Sequence, residues 1–318
     1  MESEGMLFVI AALIHSLPLS FSQEKKMEEE LDLQNPFYND PHYDDVSSLF
    51  TNESDHMSLL LSFDPLDSRF SIRRTALSLI FRAKFSYGLD PFLVYLSVNY
   101  VDRFLSKQEL LDKSPWIPHI LFVASLSLAA KMRNSDSSIL LAVLQREGGY
   151  EFEAQSVHRM EKIILAALQW RMRSVTPFSF LQYFISLLNT REQDSSLTQS
   201  LISRASDIIY NVQHELKLLE YKPSMIAASA LLCAIQDLNP PTFSSSEITL
   251  SSCEHVSKEG GLMECIGIMR EASSSGTSTP TSVLEEAAVS EKKSVKRRRL
   301  NGLCDNRTFQ ISQIQHCL

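Results

Sequence analysis

Scarcity of glycine limits this chain more than any other feature. It holds nine glycines in 318 residues, less than half the usual share of about 7%. Glycine supplies the positive-φ positions of hairpins, bulges and phosphate-cradling loops. A chain this poor in it argues against a β-sandwich, a barrel or a nucleotide-binding α/β fold. The expectation is an all-α fold. At roughly 150 residues per domain, the length fits about two domains with a sizeable core.

Charge divides the chain into parts. Residues 1–68 carry 14 acids and 2 bases, residues 69–172 carry 14 bases and 9 acids, and residues 173–318 carry 14 bases and 15 acids. An acidic arm therefore precedes a mildly basic body, with no basic stripe interleaved with aromatics of the kind that binds nucleic acid. The five cysteines form no CxxC and no Cys/His ligand spacing. That pattern suggests a reducing compartment, with neither zinc nor a disulfide framework.

The apolar run Met6 to Leu19 is interrupted by His15, Ser16 and Pro18 and is too short to span a bilayer. Two readings fit it. One is a targeting segment. The other is a leader outside the folded protein, spanning 1–26, with Met27 as an alternative start. Glu2 and Glu4 stand where a secretory signal wants Lys or Arg, which favours the second. Residues 28–67 are acidic, contain Pro36, Pro41 and Pro65, and read as a flexible arm.

Helical periodicity begins near Phe70 and runs to Tyr87, where Gly88 and then Asp90-Pro91 give a stop followed by a cap and a first-turn proline. Further helices are expected over Pro91–Leu105, from about Pro115–Pro118 to Met132, near Ile139–Gln145 and over about Phe152–Trp170. Thr176-Pro177 opens a second series: Phe178–Leu188, about Leu197–Leu218, Pro223–Leu238 and about Lys258–Arg270. Two successive runs of about five helices result. Residues 123–130 and 226–234 echo one another, both Ala/Ser-rich and apolar nearly all round. Such a helix sits in the middle of a bundle, where small side chains let neighbours approach. Residues 273–282 hold eight Ser or Thr and read as disordered, with Thr279-Pro280 a candidate site for proline-directed phosphorylation. Lys292, Lys293, Lys296, Arg297, Arg298 and Arg299 then place six bases in eight residues, the composition of a nuclear-import signal.

No GxGxxG, P-loop, GxSxG or HExxH occurs, and no pair of histidines stands at i, i+4 beside an acid. The expectation is a protein without catalytic activity, cofactor or metal. Charged residues are instead embedded in apolar helices: Asp102-Arg103, Lys131 at the end of the third helix, and Glu161 beside Met160. A charge there must be paired or must reach a partner's polar groups. For Asp102 and Arg103 local pairing is expected.

The segments Asn99-Tyr100-Val101-Asp102-Arg103-Phe104-Leu105-Ser106, Ala129-Ala130-Lys131-Met132, Met160-Glu161 and Leu168-Gln169-Trp170 resemble the cyclin box in order and spacing. Residues 170–180 and Lys222-Pro223-Ser224-Met225-Ile226-Ala227-Ala228 resemble the hinge and second cyclin fold of plant D-type cyclins. The resemblance covers about residues 70–271. It implies two tandem cyclin-box folds: residues 69–173 and 174–271, between an acidic arm (1–68) and a Ser/Thr-rich, basic tail (272–318).

It also implies a non-catalytic subunit that forms a heterodimer with a cyclin-dependent Ser/Thr kinase and promotes cell-cycle progression, with kinase inhibitors and substrates as further partners. Nuclear localisation shared with the cytoplasm is expected, without direct contact to nucleic acid or membrane. In the family, the residues matching Lys131 and Glu161 dock the kinase's mobile active-site helix. The family's substrate-docking patch maps to Ile72, Arg73 and Leu79, where the expected tryptophan is Leu79, so the patch is degenerate. The retinoblastoma-binding LxCxE motif has no counterpart; Leu250-Ser251-Ser252-Cys253-Glu254 has the wrong spacing. The alternative is a cyclin-fold adaptor of the transcription machinery, which would need a more basic face and salt-steep DNA binding.

Overall fold

The computed structural model describes residues 46–58, 67–108, 114–133, 150, 152–188, 195–257 and 260–275. The elements among them are helical throughout. Helix α1 (Val46–Asn52) and a 3-10 turn (Glu53–His56) precede the first repeat, made of α2 (Ser68–Tyr87), α3 (Pro91–Lys107), α4 (Ile117–Met132) and α5 (Ala154–Ala167). The second repeat contains α6 (Phe178–Leu188), α7 (Ser195–Asn211), a 3-10 turn (Leu216–Glu220) and α8 (Pro223–Leu238). After a further 3-10 turn (Pro240–Thr242) it closes with α9 (Phe243–Ser252), α10 (Glu254–Ser257) and α11 (Leu262–Ser275). The leader 1–26, the expected helix Ile139–Gln145, Thr279 and the basic run 292–299 lie outside the described residues.

Local chemistry sets the helix ends. Asp67 caps α2 by accepting from the Arg69 N–H at 2.8 Å, and Asp90 caps α3 by accepting from Phe92 N–H at 2.9 Å. Gly88 stops α2 at φ 60°, a left-handed backbone that a side chain would resist. Helix α4 is buried over its whole apolar length and packs against α2, α3 and α5. Ala124, Ala129 and Ala130 are fully buried, which lets the neighbouring backbones approach. Helix α8 occupies the equivalent place in the second repeat, against α6, α7, α9 and α11. Burial of each large side chain, such as Phe122 or Phe184, stabilises the fold by about 1.5–3 kcal/mol.

Four boundaries differ from the sequence reading. Helix α5 ends at Ala167 rather than running to Trp170. Gln169 (φ 53°) and Trp170 (φ 62°) take the left-handed backbone, and Trp170 N–H closes back on Leu165 C=O at 2.9 Å. The expected helix over Leu197–Leu218 ends at Asn211, and Arg73 satisfies the carbonyls of Gln213 and His214 just beyond that end, at 3.1 and 3.2 Å. Helix α9 is serine- and threonine-rich and α10 is a single turn, both with little apolar periodicity to betray them; α9 buries Leu250 and α10 buries Val256. Helix α11 continues five residues past Arg270 into the serine tract. There Ala272 is buried and Ser273 Oγ donates to Met269 C=O at 2.8 Å.

The acidic arm needs a larger correction. Residues 46–56, expected to be flexible, form α1 and its 3-10 turn and strap the two repeats together. Phe50 packs against Phe180 at 4.8 Å between ring centroids and stacks on His255 at 3.8 Å. The Glu53 carboxylate, 2% exposed, accepts from Ser224 N–H (2.9 Å) and Ser224 Oγ (3.0 Å) at the start of α8. An anion belongs there, where the helix presents unpaired N–H groups and the positive end of its dipole. Ser58 Oγ donates to Asp102 C=O in the first repeat at 2.9 Å. Seven residues are too few to make a helix by themselves, so acidic composition misreads a segment that tertiary contacts hold.

Direct contacts also join the repeats. Phe178 meets Phe92 and Tyr95 edge-on at 5.5 and 5.0 Å. Tyr100 Oη donates to Met172 C=O at 2.9 Å and Arg103 to Arg171 C=O, which anchors the hinge segment to α3, and Arg103 also donates to Ser174 Oγ at the start of the second repeat. Between the repeats lies a cleft lined by His56, Tyr95, Asn99, Gln213 and Tyr221. Burial lowers the His56 pKa from 6.5 to about 4, with the charges of Arg103 and Arg171 acting in the same direction and Asp55 opposing them.

The folded state thus resists protonating His56 while the unfolded chain accepts the proton near pH 6.5. Stability falls as pH drops from 6.5 towards 4, by about 2 kcal/mol at pH 5 from this group. Urea denaturation at pH 7 and pH 5 tests it: His56→Gln should show a correspondingly smaller acid loss than wild type. An equal loss in the two proteins refutes the assignment. Separately, Asp102→Ala strands the Arg73 guanidinium and should cost about 3–5 kcal/mol in the same measurement at pH 7.

Candidate functional site: a buried carboxylate facing an exposed ammonium

Lys131 sits in the last turn of α4, and Glu161 in the middle of α5. The packing of these two helices brings Lys131 Nζ to 2.6 Å from Glu161 Oε2. The pair is lopsided. The Glu161 side chain is 4% exposed, whereas that of Lys131 is 45% exposed. A buried carboxylate has lost most of its hydration and must be satisfied by donors. A half-exposed ammonium has donors to spare, since it carries three. The arrangement suits recognition of a peptide segment that brings both N–H and C=O groups.

A third group joins them. His158, one helical turn before Glu161, places Nδ1 3.2 Å from the same Oε2. No sequence motif marks His158; its i, i+3 spacing to Glu161 is the one signal for it.

The expected substrate-docking residues form no surface. Ile72 and Leu79 are buried in the core at 6% and 2% exposure, and Arg73 is 3% exposed. Arg73 Nε and Nη2 bond both oxygens of Asp102, at 2.6 and 3.1 Å. The exposed positions of α2 are Ser71, Arg74, Arg82, Phe85, Ser86 and Tyr87. This also corrects the local pairing expected of Asp102 and Arg103. Asp102 pairs with a residue 29 positions away, and Arg103 reaches the segment after α5. Burial pushes the Asp102 pKa up, against the opposing pull of Arg73. Among the described residues, no group of three His, Cys, Asp or Glu could hold a metal ion, and no helix is long and apolar enough to cross a membrane.

Comparison with known proteins agrees with this frame. Residues 46–173 match the family model "Cyclin, N-terminal domain", beginning where α1 begins, and residues 175–299 match "Cyclin, C-terminal domain". A putative cyclin-D6-1 of Arabidopsis thaliana is 43% identical over 244 residues, covering 75% of this chain and 79% of that protein. Cyclin-D6-1 of Oryza sativa subsp. japonica is 35% identical over 254 residues, covering 79% and 77%. The crystal structure of a viral cyclin from herpesvirus saimiri superposes with a TM-score of 0.55 at 21% identity, over 72% of this chain and 96% of that one, a likeness of fold. Both halves matched in chain order, together with relatives at this level of identity, show that the chain belongs to the cyclin family and that its relatives are plant D-type cyclins.

Proposed function

We propose that the chain is the regulatory subunit of a cyclin-dependent Ser/Thr kinase, that it acts by binding rather than by catalysis, and that it promotes progression through G1/S or a formative division. The observation that carries this reading is the Lys131–Glu161 pair, the two residues whose counterparts in the family dock the kinase's mobile helix, held 2.6 Å apart on adjoining helices. A kinase helix carrying the active-site glutamate presents backbone N–H groups at one end and C=O groups at the other. Because Glu161 and Lys131 lie side by side, they engage one short stretch at the end of that helix, Glu161 accepting from a backbone N–H and Lys131 donating to a backbone C=O beside it. Docking in this way favours the conformer in which the kinase's own Lys–Glu pair and phosphate-binding elements are aligned. Preferential binding of one conformer is enough to switch the partner.

The buried Ile72 and Leu79 and the engaged Arg73 argue that substrates are not recruited through the helix face used elsewhere in the family. Without LxCxE, retinoblastoma-type proteins need not be targeted through the acidic arm. The basic run 292–299 supports nuclear import.

Lys131→Ala or Glu161→Ala should weaken association with the purified kinase by about 2–5 kcal/mol, about 30-fold or more, and reduce phosphorylation of histone or retinoblastoma-tail substrate to match. Circular dichroism should show helical content retained. Undiminished binding by the double variant would remove this docking site. For localisation, replacing Lys296, Arg297, Arg298 and Arg299 by alanine should shift a fluorescent fusion from nucleus to cytoplasm; an unchanged distribution would rule out the run as the import signal.

A further inference from the structure

Two donors converge on one oxygen of Glu161. Lys131 Nζ lies 2.6 Å from Oε2 and His158 Nδ1 lies 3.2 Å from it. Oε1 has no hydrogen-bond partner among the described residues. A carboxylate accepts only, so the ring nitrogen facing it carries the proton. His158 is otherwise at the surface, with 62% of its side chain exposed. Neither the core nor a helix cap requires an imidazole at that position.

We propose that His158 is a positioning residue for kinase docking: with Lys131 it pins Oε2 of Glu161, so that Oε1 is presented to a backbone N–H of the docking helix. The inference rests on the kinase-docking reading above and adds a residue that the cyclin motif does not contain. The physical reason is division of labour. When a partner docks, Lys131 shares its ammonium between Glu161 and the partner's carbonyls. His158 has no second duty and stays on the carboxylate throughout. A glutamate side chain has three rotatable bonds, and fixing them before docking removes an ordering cost that binding would otherwise carry. The i, i+3 spacing on α5 supplies this second donor from the same rigid element as the carboxylate.

The test is the affinity of the full chain for the purified kinase, by titration calorimetry, for His158→Leu, His158→Asn and each of these with Glu161→Ala. His158→Leu should weaken binding about three- to tenfold, less than the full worth of a bond to a carboxylate because Lys131 still holds Glu161. His158→Asn should restore most of that, because an Asn amide N–H₂ falls where Nδ1–H stands. In the Glu161→Ala background, where no acceptor remains for the ring, His158→Leu should have no further effect. Thermal melts of the single variants should match wild type, since the ring is exposed.

Three results overturn the inference while leaving the docking site intact: full affinity in His158→Leu when Glu161→Ala still weakens binding; Asn no better than Leu; or an undiminished loss in the Glu161→Ala background, which would mean that His158 contacts the kinase itself. Full affinity in both Glu161→Ala and His158→Leu would instead mean that the docking reading has failed.

Discussion

The Arg73–Asp102 pair is the interaction on which the rest of the molecule hangs. Both side chains are buried, and their charges could not remain there singly. One guanidinium addresses four acceptors: two carboxylate oxygens of α3 and the carbonyls of Gln213 and His214 beyond the end of α7. Only a planar fork with five donors can do this; a lysine in its place would meet at most part of the set. The bonds join α2 to α3 within the first repeat and at once tie that repeat to the second. They also satisfy two carbonyls just beyond the end of α7. Helix α4 packs on α2 and α3 of this frame and on α5, and its contact with α5 sets the spacing of Lys131 and Glu161.

At the candidate site the useful property is unequal burial. If Lys131 and Glu161 were both exposed, water would compete for every bond and the pair would be worth little. If both were buried, neither would have capacity left for a partner. An exposed cation over a buried anion keeps the carboxylate desolvated yet accessible along one oxygen. The Arg73–Asp102 pair is the opposite design, closed on every side. The same two kinds of charge therefore serve as a structural brace in one place and as a recognition element in the other.

Much of this could be read from residue order. The long helices followed from apolar spacing and from Gly88, Asp90-Pro91 and Pro223, because these features act locally. The central role of α4 and α8 followed from their small, all-round apolar composition. Lys131 and Glu161 were found through motif resemblance, since nothing in their spacing of 30 residues announces contact. What escaped depends on distant contacts. Helix α1 exists because Phe50 finds Phe180 and His255; α9 lacks an obvious stripe and is held by its neighbours; and Arg73 looked like part of a surface patch until Asp102 and two carbonyls were placed around it. The left-handed turn at Gln169-Trp170 was equally invisible, for a glycine would be expected there and none is present.

The strap has a consequence for how the protein comes into being on the ribosome. Glu53 and Ser224 are separated by 171 residues of chain, and Phe50 stacks on a ring at position 255. Among the described helices α1 emerges first, yet its docking places lie on α6, α8 and α10 of the second repeat. Helices α2 to α5 can assemble as a unit while synthesis continues, since domains generally fold in order of appearance. The segment 46–58 cannot. It stays unseated, with Leu49 and Phe50 uncovered, until the second repeat is complete, and closing so long a loop makes it a late step. A nascent chain of this protein therefore exposes a short apolar hook for most of its synthesis, and the act that hides the hook is also the one that locks the two halves together.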